Sequence, residues 1–588
     1  MSDTNGGDDF PDPGGGFGES LASHLLKRTA VVAVVVVFLY FTRPLWHGFV
    51  YSMLFSPPST VLLGGGVLTA LVLWYLPPSS GQDGTGGRGD TEVDDGFRFG
   101  EEEVEISVED LFGGAGSANR KLRLFGAVVG VLFVVSILVS IPAGAFEQRT
   151  LAQQTVADAT EVAEFPQANP ENPRVLPREV SDISTRGSVS YRQHRLGTSD
   201  IARTENGSLA WSYAIEPDGF RNRVVENQRG VLLTDMNKLD DRPIDVSEED
   251  FTYGKGMFLH RSADWNLKKT DYIARYNDDA VEFSHDGRPY MYYAKTGHDW
   301  HLTPFPHTTP RWDGGALVHP NGTIEHLSKS EAQDHPVLDG QRLYPLTLTR
   351  DEMGSLGYRN GIVNQLPVVG AHQGEVELAR LPSQVDNTQP FVIDLKGERM
   401  SYVTALEPFG EDTRGLDEVW FVDAKTGEYT FFGTDAETLT GPQRAMGIAR
   451  SADSRTNWGQ NFVVTEPVPV TVQGELWWQI KVAPTDFTDV ARNVFVNADD
   501  GQTLELRTDD AVRTFIREGT DLNVTEVDET GGDRAESSAP DGDDGPTYYV
   551  VITDENGTVI ERIPVEPGQD TRIVSAEDDR AGNETGGS

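Results

Sequence analysis

The chain has 588 residues, with 92 Asp and Glu against 49 Lys and Arg, a formal net charge of -43. That length implies several domains, and so acidic a surface repels nucleic acid, so no nucleic-acid binding is expected. Cys is absent, which excludes disulfides, thiolate nucleophiles, Cys-ligated zinc and iron–sulfur clusters.

Residues 1–28 form a cytoplasmic N-terminus, Gly/Asp-rich up to Gly18 and expected to be disordered. Residues 29–78 are expected to hold two transmembrane helices. The first is read as one helix from about Thr29 to Tyr51, kinked at Pro44, with Arg43 snorkelling toward the outer interface. The alternative is a shorter span followed by an interfacial helix, with Trp46, Phe49 and Tyr51 at headgroup depth. The second is "STVLLGGGVLTALVLWYL", Ser59 to Leu76, between two Pro-Pro pairs. Residues 79–123 are an acidic cytoplasmic loop, a flexible linker followed by a possible short strand and turn in "FRFGEEEVEISVEDLFGG". The third span is Leu124 to Phe146.

Lys27 and Arg28 precede the first span, and Arg120, Lys121 and Arg123 the third. Both clusters belong on the cytoplasmic side, which puts everything after Phe146 outside the cell membrane. Five Asn-x-Ser/Thr sequons, at Asn206, Asn321, Asn523, Asn556 and Asn583, lie in that exterior part and are candidate glycosylation sites. "AGA", Ala143 to Ala145, has the pattern of a cleavage site, so release of the exterior region is an alternative.

Residues 147–174 read as a helical stalk and a Pro-rich linker, and residues 519–588 as an acidic linker, one final hairpin and a loose tail. Between them lies a repeat. "GSLAWSYAIEP", "GRPYMYYAKT", "GERMSYVTALEP" and "GELWWQIKVAP" begin at Gly207, Gly287, Gly397 and Gly474. Three of them lead to a second unit whose turn ends in Gly322, Gly427 or Gly501; in the first copy that unit is the degenerate "GVLLTDMNKLDD". An apolar strand, a polar turn closed by Gly and a second strand make a hairpin. "VWFV", Val419 to Val422, is apolar on both faces, which suits a covered strand. The aromatic residues are expected in the core. Helices over Asp435 to Ser454 and in "TRDEMGSLGYRNGIVNQL" are expected to cover the sheets, an α+β architecture of antiparallel sheets.

The run from Thr438 to Leu506 resembles a PepSY-type module. In "VDAKTGEYTFF", Asp423, Ala424, Thr426, Gly427 and Glu428 match that family's most recognisable residues. The resemblance implies two modules in residues 175–326 and two more in 327–518. The serial arrangement behind a membrane anchor resembles envelope proteins of Gram-positive bacteria, and the acidic composition resembles that of halophilic archaea. PepSY modules are generally non-catalytic and associated with protease regulation and envelope partners. The resemblance therefore implies an integral membrane protein, without cofactor, that binds or regulates an envelope protein partner.

One segment suggests chemistry. "KTGHDWHLTPFPHTTPRW" carries His298, His301 and His307, weak candidates for a metal site. On that basis the alternative function is a metal-dependent extracytoplasmic hydrolase. A further alternative is an accessory subunit of a membrane transport or secretion machine. Nucleotide-binding and hydrolase motifs are absent, and no catalytic residue is assigned.

Overall fold

A computed structural model describes residues 16–75, residues 115–519 with short interruptions at 189–190, 241, 278–279, 367–370, 380, 382–387, 411–414, 435–438 and 454–455, and the strands 548–553 and 559–565. The expectations for the N-terminal segment up to residue 15, for most of the acidic loop, for the loose tail and for Asn523, Asn556 and Asn583 lie outside the described residues. Two units are present, Met1–Leu522 and Asn523–Ser588.

The N-terminal helices differ from the expected single kinked span. Helix α1 (Gly16–Phe41) ends before Arg43, and α2 (Arg43–Phe55) leaves it at 100°. Pro44 lies in the first turn of α2, where its missing N–H costs nothing, so the sequence starts a new helix there instead of kinking one. Trp46 and Phe49 are exposed, but Tyr51 is buried, so the aromatic residues of α2 do not share one role.

Among the described residues, two helices are long and apolar enough to cross a membrane, Pro57–Tyr75 (α3) and Lys121–Asp158 within α4 (Ala115–Asp158); the bent pair would make a third. The 19 residues of α3 reach about 28 Å at 1.5 Å per residue, close to the thickness of a hydrocarbon core. Helix α4 continues past Phe146 without a break. The expected stalk is not a free linker. Leu151, Ala152 and Thr155 are buried where α4 packs on other elements, and strand β1 (Thr160–Glu161) follows directly.

Four antiparallel sheets follow one plan. The first has β2 (His194–Leu196), β3 (Asp200–Arg203), β4 (Leu209–Pro217), β5 (Gly230–Asp235) and β6 (Ile244–Glu248). The second has β7 (Arg275–Tyr276), β8 (Val281–His285), β9 (Arg288–His301), β10 (His307–Val318) and β11 (Ile324–Leu327). The third has β12 (Val376–Leu378), β13 (Phe391–Leu395), β14 (Arg399–Pro408), β16 (Glu418–Asp423) and β17 (Tyr429–Gly433); the short β15 (Gly415–Leu416) pairs apart from it with β18 (Leu439–Thr440). The fourth has β19 (Phe462–Val472), β20 (Glu475–Pro484), β21 (Arg492–Asn497) and β22 (Thr503–Leu506).

In each, the Gly-led segment seen in the sequence is the long central strand: β4, β9, β14 or β20. Its hairpin partner is split in the first three sheets, into β2 and β3, β7 and β8, or β12 and β13. In the fourth the partner is continuous but bulges between Thr465 and Val468.

Helices α5 (Arg178–Ser188), α6 (Ala263–Thr270), α7 (Leu346–Ser355) and α8 (Pro442–Ala452) precede the central strands, and α9 (Asp509–Glu518) closes the fourth sheet. Helix α8 starts later than expected, because Gly441 caps it and Pro442 opens its first turn, while Leu439 lies in β18. Helix α7 starts earlier than its quoted segment, at Leu346.

The core is aromatic, as the repeat predicts. Trp420, Trp477, Trp478, Tyr402 and Phe495 are among its largest fully buried side chains. The Trp420 indole donates to Glu418 Oε2 at 2.7 Å and stacks on Phe431. Gly427, at φ +77°, shows why the turn needs glycine: a Cβ there would lie 2.3 Å from the Tyr344 ring. In the second unit, β23 (Tyr548–Thr553) pairs antiparallel with β24 (Val559–Val565), matching the final hairpin read from the sequence.

Candidate functional site

The His-bearing segment forms the far end of the β9–β10 hairpin. The pairing sets His301 opposite His307 and His298 opposite Pro310. Because side chains alternate along a strand, His298, Trp300 and Thr308 share one face, and His301 and His307 the other.

The first face lies on α2. Tyr51 Oη is 2.9 Å from His298 Nδ1 and donates to the Thr296 carbonyl at 3.2 Å. The Trp300 indole donates to Leu54 O at 3.1 Å, and Thr308 Oγ1 to Phe55 O at 2.8 Å. Further along α2, His47 Nε2 is 2.9 Å from Ala274 O and Arg43 donates to Lys269 O at 2.6 Å.

The second face lies on α4. His307 Nε2 is 2.8 Å from Thr150 Oγ1, its Nδ1 is 2.7 Å from Phe305 O, and Phe146 stacks on Phe305. His301 stacks on His307 with ring centroids 4.9 Å apart, and its Nε2 is 2.9 Å from Thr309 Oγ1.

The hairpin is thus gripped between two apolar helices. His301 and His307 come together, but His298 projects to the opposite face. Both ring nitrogens of His307 are already engaged. The spacing that suggested a metal ligand set does not produce one, because a strand sends positions three apart to opposite faces. Among the described residues, no three His, Asp or Glu side chains converge as a metal site requires.

Burial, reinforced by Arg275 and Arg311 against the opposing pull of Asp299, pushes the His298 imidazole down to about 4. Its folded pKa lies below the unfolded value of about 6.5, so the stability it contributes is complete above that value. It falls as pH drops from about 6.5 to about 4, because only the unfolded state readily takes the proton. Acidification through that window is expected to loosen the hairpin from α2. Trp300 emission should change with a midpoint in this window, and a Tyr51→Phe variant should change at higher pH than the parent.

The other notable polar features are ion pairs inside the sheet region. Each split or bulged strand buries a carboxylate: Asp200, Glu282, Asp394 and Glu466. Asp200 pairs with Arg342, Glu282 with Lys255 at 2.5 Å, and Asp394 with Arg203 at 2.6 Å. Glu466 receives two bonds from Arg174 at 3.0 Å, and one from the Arg178 backbone N–H. Arg174 also donates to Val392 O at 2.8 Å and sits over the Trp211 ring. It therefore joins the first, third and fourth sheets. Burial pushes Glu466 up, but Arg174 and Lys481 outweigh it and hold the carboxyl below its usual range. Burial drives Lys481 down to about 7 despite Glu466 at 3.9 Å.

Glu352, pushed up to about 8 by burial, bonds Tyr344 Oη at 2.5 Å; Tyr344 meets Tyr429 at 2.8 Å. This cluster is core: Glu352 is 3 % exposed and Tyr344 6 %. Sequence reasoning missed Arg174, Glu466 and Lys481. A Lys between apolar neighbours in "WWQIKVAP" was the one local signal. Of the sequons, Asn206 and Asn321 are exposed in turns, where a glycan would meet no obstruction from the core.

No family model matches this chain, and neither the curated proteins nor the solved structures contain a significant match to it.

Proposed function

We propose that this chain is a non-enzymatic, membrane-anchored cell-envelope protein. Three spans would hold it with its N-terminus in the cytoplasm, and its repeated PepSY-like modules would stand outside, where they bind or regulate protein partners. One observation carries the reading: one of the repeated sheets, the third, already takes up an added strand. β1 pairs in parallel with the outer edge of the third sheet, Thr160 opposite Thr430 and Glu161 opposite Phe431. Strand addition of this kind is a general mode of peptide recognition, and an unpaired sheet edge invites it.

The interlocked sheets support a platform role, because Arg174 and the other buried pairs fix the modules against one another. The hairpin gripped by α2 and α4 would couple that platform to the anchor. Crosslinking in intact cells at their growth salt is expected to recover discrete envelope proteins. Recovery of the protein alone, in repeated trials, would overturn the reading.

A further inference from the structure

We propose that the outer edge of the fourth sheet, β22, together with the groove between it and α8, takes an acidic extended segment of a partner protein as an added parallel strand. This rests on the partner-binding reading and says where and how the partner attaches.

The third sheet shows what such an edge accepts. There Val162 N–H donates to Phe431 O at 2.9 Å, and β1 lies alongside β17. The two hairpins that end in these edges are built alike. Asp423 N–H bonds Glu428 O at 2.9 Å and Gly427 N–H bonds Asp423 O at 2.8 Å; Asn497 N–H bonds Gln502 O at 2.9 Å and Gly501 N–H bonds Asn497 O at 3.1 Å. Phe431 follows Gly427 by as many residues as Glu505 follows Gly501. The alternation of an antiparallel ladder therefore turns the backbone of Thr503 and Glu505 outward, as it does that of Tyr429 and Phe431. Among the described residues, β22 ends its sheet and no strand adds to it.

Beside this edge runs a groove of about 540 Å³, lined by Arg444, Gly447, Ile448, Ala452, Gly501 and Thr503. Helix α8 carries Arg444 and Arg450 and no carboxylate, although the chain's net charge is -43. Elsewhere in this sheet region Arg492, Arg513 and Arg517 each face a carboxylate. Arg444 and Arg450 are paired with none among the described residues. The segment that carries the strand capping the third sheet has the complementary charge: residues 158–165, from the last residue of α4 through β1, contain Asp158, Glu161 and Glu164 and no basic residue. An acidic extended peptide thus matches the edge in hydrogen bonding and α8 in charge.

The probe is a synthetic peptide of residues 157–166, fluorescently labelled and titrated against the full chain in detergent at low and at molar salt. Saturable binding at a single site is expected, weaker at molar salt as contact charges are screened. Thr503→Pro removes an outward N–H without touching the β21 ladder and should weaken binding at least about tenfold. Thr503→Val, which keeps that N–H, should bind as the parent does, and Arg444→Glu should weaken binding mainly at low salt. Equal binding to the parent and Thr503→Pro, or none to the parent, would overturn the proposal. So would a dimer of the unmodified chain that Thr503→Pro abolishes, since the occupant would then be a second copy. Envelope partners crosslinked equally by parent and Thr503→Pro would sink this edge and leave partner binding standing. Their absence from both would remove the two together.

Discussion

Replacing Arg174 with alanine is expected to destabilise the full chain by about 3–5 kcal/mol, the usual cost of stranding one member of a buried ion pair. Arg174 makes two 3.0 Å bonds to a Glu466 carboxylate that has no exposure, and one to Val392 O. Without it Glu466 loses its bidentate cation, and the Arg178 N–H and Lys481, whose Nζ is 3.9 Å away, do not replace those two bonds. The loss should be nearly independent of salt, because ions do not reach the pair, whereas exposed pairs such as Arg517 with Glu171 weaken as salt rises. Denaturant unfolding at low and at molar salt checks both statements. Lys481→Met should behave oppositely. Among the described residues Lys481 Nζ makes no hydrogen bond, and burial already pushes this lysine down to about 7, so an apolar replacement of similar length should be neutral or stabilising. An Arg174→Ala variant as stable as the parent would mean that the Arg174–Glu466 pair adds nothing to the hold between the sheets.

Trp478→Ala is expected to cost about 3–5 kcal/mol, from lost burial and the cavity left behind. Trp478 has no exposure, and its indole donates to Thr440 O at 2.6 Å, tying β20 to β18. The same substitution should leave the binding of the acidic peptide unchanged under conditions where the variant remains folded. That pairing of outcomes separates an aromatic core from an aromatic binding face. A measured stability within about 0.5 kcal/mol of the parent, the usual range of surface substitutions, would instead place Trp478 on a surface.

Much of the architecture was legible because it is local. A Gly after a polar turn, followed by a β-rich run, specifies a hairpin within a dozen or so residues. The repeat of Gly-led segments located the central strand of each of the four repeated sheets. Helices long enough to span a membrane declare themselves by length and apolarity. Other elements failed to show for physical reasons. β2, β7 and β12 are two or three residues long and carry no detectable period. The stalk reads as polar and helical, and nothing in it signals that Leu151 and Ala152 are buried. His298, His301 and His307 offered ligand chemistry in the right residue types, but strand geometry sends His298 to the face opposite His301 and His307.

By itself, then, the sequence determined the hairpins, the fourfold repetition, the span-length helices and an aromatic core, since each depends on neighbours a few residues apart. Only the tertiary structure decided which carboxylate meets which arginine, that β1 caps the third sheet while β22 ends its sheet among the described residues, and that the histidine hairpin is held by α2 and α4. These depend on contacts between segments separated by tens to hundreds of positions, such as Arg174 with Glu466 or Tyr51 with His298. Such contacts are selected by the packing of the whole chain and leave no period in any one stretch of it.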